Sequence, residues 1–230
     1  FDVEKPKGPE HIFLMSMDRT GMIEGDYSKI SKLFIPYIAG GDIYLDDKNG
    51  NFTKSHDGFG TFQTKETFYA SFPENDLRAE LMIIDSVYNQ SGDLIANYPN
   101  DFQYRFSRKY VDPLFIGDKT STKPYLIRFS DVALVYAEAV GPTPEAYELV
   151  NYIRERAGVE PLNPNLGLEE FREAILQERA WELAFEGHRL PDLRRFNKVT
   201  TLVEEASGLS PEQVAFYPLP QIEIDLNQGL

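Results

Sequence analysis

Residues 125–140 read YLIRFSDVALVYAEAV, residues 143–159 read TPEAYELVNYIRERAGV, and residues 177–197 read QERAWELAFEGHRLPDLRRFN. In the first of these, Leu126, Phe129, Ala133, Tyr136, Ala137 and Val140 recur at spacings of three and four, which predicts a helix over Leu126 to Val140. Pro124 stands just before it, where a missing N–H costs little, and Gly141-Pro142 ends it. In the second stretch Thr143 is an N-cap with Pro144 at the first helical position. Ala146, Leu149, Val150, Ile153 and Ala157 form the stripe of this second helix, and Gly158 is a good C-terminal stop. Two helices joined by so short a loop pack antiparallel.

A third helix is predicted from about Leu168 to Glu186, with Phe171, Ala174, Ile175, Trp181 and Phe185 on one face. Glu178 and Glu182 fall on that same face, and buried carboxylates need partners. The candidates next in the chain are His188, Arg189, Arg194 and Arg195, with Gly187 breaking the helix so that a short fourth helix folds back. Guanidinium groups meet carboxylates through two parallel hydrogen bonds. Glu178, Glu182, Arg189, Asp192 and Arg194 are therefore read as an ion-pair clasp between two helices. A catalytic role, or a metal held by Glu182, Glu186 and His188, is the competing reading. Structural ion-pair networks perturb carboxylates as active sites do, and no second histidine lies nearby to complete a familiar metal spacing. No glycine-rich phosphate loop and no nucleophile elbow is present.

LIRFSDVALVYAEAV, VNYIRERAGV and ERAWELAFEGHRLPDLRRF together resemble the C-terminal region of the SusD/RagB family, and the closing YPLPQIEIDLNQGL is similar to that family's terminal segment. The motifs keep their order over about the last hundred residues. Upstream, EHIFLMSM, ENDLRAELMI and KYVDP resemble family segments loosely. The resemblance implies a mainly α fold: a SusD-like C-terminal region with a helical hairpin and two further helices, joined to loop-rich segments and a small β-hairpin. Residues 1–123 are expected to be loop-rich with short strands and helices. Residues 124–230 are expected to form the helical core with an extended tail, the whole packing as one compact domain.

Composition bounds the function. The chain has 230 residues and a net charge of −14, so nucleic acid is an unsuitable partner, because phosphate binding needs clustered Lys and Arg. It has no cysteine, which excludes disulfides and thiolate chemistry. No apolar run approaches a transmembrane span. The opening FDVEKPKGPEHIF does not begin with Met and reads as the middle of a longer protein. The resemblance implies that the remainder would hold a signal sequence, a lipidated cysteine and most of the family's tetratricopeptide-like helices.

Further upstream, Ile12 to Met17 is a strand or a buried segment, and Tyr27 to Ile38 contains a short helix interrupted at Pro36. Asp42 to Phe62 reads as a hairpin turning at Asn49-Gly50. The DDKNGN run fails as an EF-hand, since with Gly50 at the sixth position Leu45 would be the first ligand and His56 the twelfth. A solvated turn outweighs a looser calcium site from Asp46, Asp47 and Asn49. Phe59, Phe62, Phe68, Tyr69 and Phe72 are dense in aromatic rings, most of which are expected in the core. Tyr37, Tyr44 and Phe59, flanked by Asp57, are the candidate ligand-binding residues, because sugars present apolar C–H faces that stack on rings. Asp76 and Arg78 read as a local pair. Ala79 to Val87 suits strand or helix, Ser91 to Asp101 is a turn-rich loop, Leu202 to Gln213 is a short amphipathic piece, and Phe216 to Leu230 should run extended.

Three function classes compete. The resemblance implies a non-catalytic lipoprotein at the cell surface, anchored in the outer membrane through its lipid. It would capture an oligosaccharide, or a peptide in some members, for a SusC-like TonB-dependent transporter, with no cofactor. A glycosidase needs two carboxylates roughly 5–10 Å apart across a sugar, and no recognisable motif sets such a pair. A helical scaffold binding a peptide or protein is the third.

Overall fold

The computed structural model describes residues 8–39 and 42–227. The chain forms two compact units, Phe1–Glu186 and Gly187–Leu230. In the first, β1 (His11–Leu14) and α1 (Ile30–Phe34) precede the hairpin β2 (Ile43–Asp46) and β3 (Phe52–Ser55). Then come α2 (Glu66–Tyr69), α3 (Leu77–Met82), β4 (Ile83–Ile84), β5 (Ser86–Tyr88), β6 (Leu94–Asn97) and β7 (Phe106–Ser107). Strand β8 (Tyr125–Arg128) runs directly into α4 (Phe129–Val140), followed by α5 (Pro144–Arg156) and α6 (Leu168–Glu182). The second unit holds α7 (Arg189–Arg195), α8 (Val199–Leu202), a 3-10 turn at Glu204–Ala206, α9 (Pro211–Ala215) and α10 (Gln221–Leu226). Helix outweighs strand, as expected.

The expected hairpin is present, but it belongs to a four-stranded antiparallel sheet of order β3-β2-β5-β6. Period-two alternation sends Ile43 and Leu45 into a core with Val87, Ala96 and Phe106, and Tyr44 to the other face. Its turn is wider than a two-residue one: the Asp47 N–H donates to the Asn51 carbonyl, and Lys48 and Gly50 both adopt positive φ. The Asp47 carboxylate accepts from the Asn49 and Asn51 N–H groups, the Asx geometry that lets a short side chain organise a turn. Strand β6 lies inside the stretch read as a loop, because Leu94 to Asn97 finds its ladder on β5.

The helical hairpin forms, with a corrected start. Residues 125–128 are a strand paired antiparallel with β1, and the helix begins at Phe129, whose N–H donates to the Glu10 carbonyl. Tyr125, Leu126 and Ile127 favour a strand once a partner is available. Leu126, Tyr136 and Val140 are therefore exposed, and the buried face runs through Ser130, Ala133, Leu134 and Ala137. Helix α5 starts as expected: the Thr143 side chain accepts from the Ala146 N–H, with Pro144 at the first position. Its Ala146, Val150 and Ile153 pack with Leu134, Phe171 and Ile175 in the second core. Helix α6 stops at Glu182, a turn short of the expected end, and Phe185 takes a positive φ.

In the second unit Leu193, Val199 and Ala206 form a small core. The tail departs from the extended reading: Gln221 to Leu226 is helical, opening after Pro220, and residues 228–230 lie outside those described.

Candidate functional site

Helix α6 carries Glu178 and Glu182 one turn apart, only 1% and 5% exposed. Burial at that depth demands full hydrogen bonding. Four arginines from three separate elements, α3, β8 and α5, meet that demand. Glu178 accepts from Arg78 at 2.6 Å and from Arg154 at 2.7 Å. Glu182 accepts from Arg128 at 2.7 Å, from Arg78 at 3.2 Å and from Arg156. Just past the helix, Glu186 accepts from Arg128 at 2.8 and 2.9 Å and from Lys109. Glu10, ahead of β1, binds Arg128 at 2.8 Å and Arg156.

Asp76 caps α3 and grips Arg78 through two bonds of 2.9 and 2.7 Å, so the pair is local as expected, while the same guanidinium reaches α6. Burial alone would raise the Glu182 and Glu186 carboxyls. The cations beside them, Arg128 and Arg156 for Glu182 and Lys109 and Arg128 for Glu186, hold both below the usual carboxylate range.

The expected partners of α6 are thereby corrected. Glu178 and Glu182 are satisfied by Arg78, Arg128, Arg154 and Arg156, all upstream of the helix. In the second unit Asp192 binds Arg195 at 3.0 Å. Arg194 donates to the Val214 carbonyl at 2.9 Å and stacks on Tyr217 at 4.0 Å. Burial pushes the Arg189 guanidinium down against the pull of Asp192. Arg154 and Arg156 stand in the quoted VNYIRERAGV. The signal that marks them is arithmetic: two buried carboxylates with four oxygens call for several donors, and α5 packs nearest in sequence.

In front of this network lies an open cleft of about 560 Å³, bordered by Arg78, Arg108, Lys109, Arg128, Arg156, Tyr125 and Trp181. The His11 Nε2 and the Tyr125 hydroxyl meet at its edge, 2.5 Å apart. Among the described residues no group of three or more His, Asp or Glu side chains is arranged to hold a metal ion.

The candidate ligand-binding residues occupy two places. The loop at Gly58–Gly60 is laid against α1 by three backbone bonds, Gly58 to Pro36, Phe59 to Lys32 and Gly60 to Ile35. A Cβ at Gly58 would collide with the Ile35 carbonyl oxygen, so this approach needs glycine. Tyr37 and Phe59 stand on the joined segments, 67% and 62% exposed, and Lys32 lies 5.1 Å from the Phe59 ring centre. Asp57, half-buried, accepts on its carbonyl from His56 Nδ1 at 2.8 Å. Nδ1 thus carries the proton, and Nε2 accepts from Ser31 Oγ at 3.0 Å. Burial holds the His56 imidazole down, favouring that neutral form. Tyr44 stands elsewhere, on the outer sheet face between Lys54 and Tyr88.

The SusD family model matches residues 47–230. SusD-like protein P25 of Formosa agariphila is 32% identical over 194 residues, covering 77% of this chain and 35% of that protein. A laminarin-binding SusD-like protein superposes with a TM-score of 0.72 at 22% identity, over 95% of this chain and 48% of the other. Surface glycan-binding protein A from Bacteroides thetaiotaomicron, solved with laminarihexaose, gives 0.69 at 22% identity, over 96% and 50%. The chain thus spans about a third to a half of the length of these relatives. With the matched residues running from the β-hairpin through the α4–α6 core to the tail, this chain belongs to the SusD family.

Proposed function

We propose that this chain is part of a surface protein that binds an oligosaccharide without bond chemistry and passes it to a TonB-dependent transporter of the outer membrane. Family membership is the observation that carries this reading, and the ligands of two structural relatives, laminarin and laminarihexaose, support the ligand class. Locally, Tyr37 and Phe59 support it as well: two solvent-facing rings, one just after α1 and one on the loop bonded to it, with Gln63 tied to the Gly60 carbonyl of that loop. Rings held in place lose little entropy when a sugar stacks on them. The buried α6 carboxylates, Glu178 and Glu182, are saturated by guanidinium groups, which suits an architectural role and not proton transfer.

A glycan array probed with the 230-residue chain tests the reading. Binding to at least one oligosaccharide is expected. The Tyr37→Ala/Phe59→Ala double variant should weaken it about fivefold or more at an unchanged melting temperature. Mass spectrometry should recover the bound sugar intact. An array with no bound sugar, or a sugar returned cleaved, would overturn the proposal.

A further inference from the structure

We infer that the cleft in front of the α6 ion-pair network binds an acidic sugar through Arg108, that is, an oligosaccharide carrying the carboxylate of a uronic acid. This rests on the reading that the chain binds oligosaccharide, and it adds the charge of the ligand and a place for it.

Around the cleft and directly behind it, Arg78, Lys109, Arg128, Arg154 and Arg156 are ion-paired with Glu10, Asp76, Glu178, Glu182 and Glu186. Among the described residues five cations meet five carboxylates, so that set is neutral. Arg108 borders the same cleft and is the cation left over: among the described residues no carboxylate lies within ion-pair distance of it. Asp46 and Asp47 are the acidic side chains nearest in charge, and both are already engaged in their turn by the N–H groups of Lys48, Asn49 and Asn51. What Arg108 takes from that turn is a neutral acceptor, the Asp46 carbonyl, at 2.5 Å from Nη1.

The remaining edge of the guanidinium, Nε and Nη2, has no partner among the described residues, yet neither nitrogen is sealed from solvent. That edge is the planar two-donor fork that matches a carboxylate. Burial pushes the Arg108 guanidinium down from its ordinary value, unlike Arg78 and Arg128, which their carboxylates raise. Asp47 and Asp46 pull it back only in part, and an incoming anion would supply further countercharge. The setting is unusual for this protein, whose net charge of −14 repels anions elsewhere. Tyr125 and Trp181, on the same cleft, provide ring surface for the sugar that carries the acid.

Titration calorimetry with tetragalacturonate, laminarihexaose and hexaglutamate tests this. Tetragalacturonate should bind, and Arg108→Gln should weaken it about tenfold or more, with Arg108→Lys, which keeps the charge and loses the fork, falling between the two. Any neutral sugar found on the array should be unaffected by Arg108→Gln. On the unaltered chain, raising sodium chloride from about 50 to about 500 mM should weaken tetragalacturonate severalfold and leave the neutral sugar unchanged, which tests the inference independently of any variant's folding. Binding of neutral sugars alone would overturn the inference and leave the proposed function standing. Hexaglutamate binding as tightly as tetragalacturonate would overturn the assignment to a sugar, and binding of no sugar at all would overturn both.

Discussion

Glu182 shows how much one buried side chain is asked to hold. Arg78, Arg128 and Arg156 converge on its two oxygens, and its backbone carbonyl takes a further bond of 2.6 Å from Arg128. Such a group does not need to add much net stability, because removing two charges from water is costly in itself. Removing only the carboxylate is different, since the arginines stay behind. Glu182→Ala should destabilise the fold by about 3–5 kcal/mol, read as a shift in the denaturant midpoint, with little selective effect on neutral-sugar binding at permissive temperature. The pH dependence has a definite sign. The folded-state pKa of Glu182 is lowered, so its contribution is fully present above the unfolded value and is lost as pH falls toward the folded one. The stability difference between the unaltered chain and Glu182→Gln should therefore be flat from pH 8 down to about pH 5 and shrink below about pH 4.3. A difference that grew on acidification would contradict the assignment. The need for partners was legible from the spacing of Glu178 and Glu182 on an apolar face. Which arginines answer it was not, because Arg78 lies a hundred residues before Glu178, and a helical period carries no information about such distances.

At the scale of elements, helix capping read well, and turn width and boundaries set by distant pairing did not. Thr143-Pro144 starts α5 as its residues dictate, since the cap is local. The start of α4 is instead decided by β1, which takes residues 125–128 into a ladder and leaves the helical period to begin at Phe129. The same limit hid β6, whose pairing with β5 outweighs a turn-rich composition. The loop bearing Phe59 depends on one close approach. Gly58→Ala should break the seating of that loop on α1, costing about 1–3 kcal/mol and raising hydrogen exchange at the Phe59 and Gly60 amides, with α4–α6 unaffected. An unchanged exchange pattern would mean that the loop is not held by its backbone bonds.

For the whole molecule, the outward faces carry a message as well as the cores. Ile12 and Phe13 on β1, Leu126 and Ile127 on β8, and Val132 and Val135 on α4 are all exposed, although large apolar residues of this kind usually bury. A two-stranded ribbon is also marginal without further packing. In isolation the 230-residue chain should associate with rising concentration, as measured by sedimentation velocity, and Phe13→Lys with Val135→Lys should return it toward monomer without lowering the melting temperature. Association unchanged by those substitutions would place the sticky surface elsewhere. Family membership was legible from residues 125–230, where the motifs are dense and in order; the candidate ligand surface was legible only as exposed rings, since stacking residues follow no spacing rule.

The pairing of β1 with β8 also dictates an order of events. His11 meets Tyr125 across 114 residues, so the first strand emerges from the ribosome long before its partner. At common elongation rates that interval is on the order of ten seconds. Throughout it the HIFL segment is an open edge, free to pair with whatever strand is near. A cell making this protein has reason to keep that segment covered until Tyr125 to Arg128 is free to pair with it.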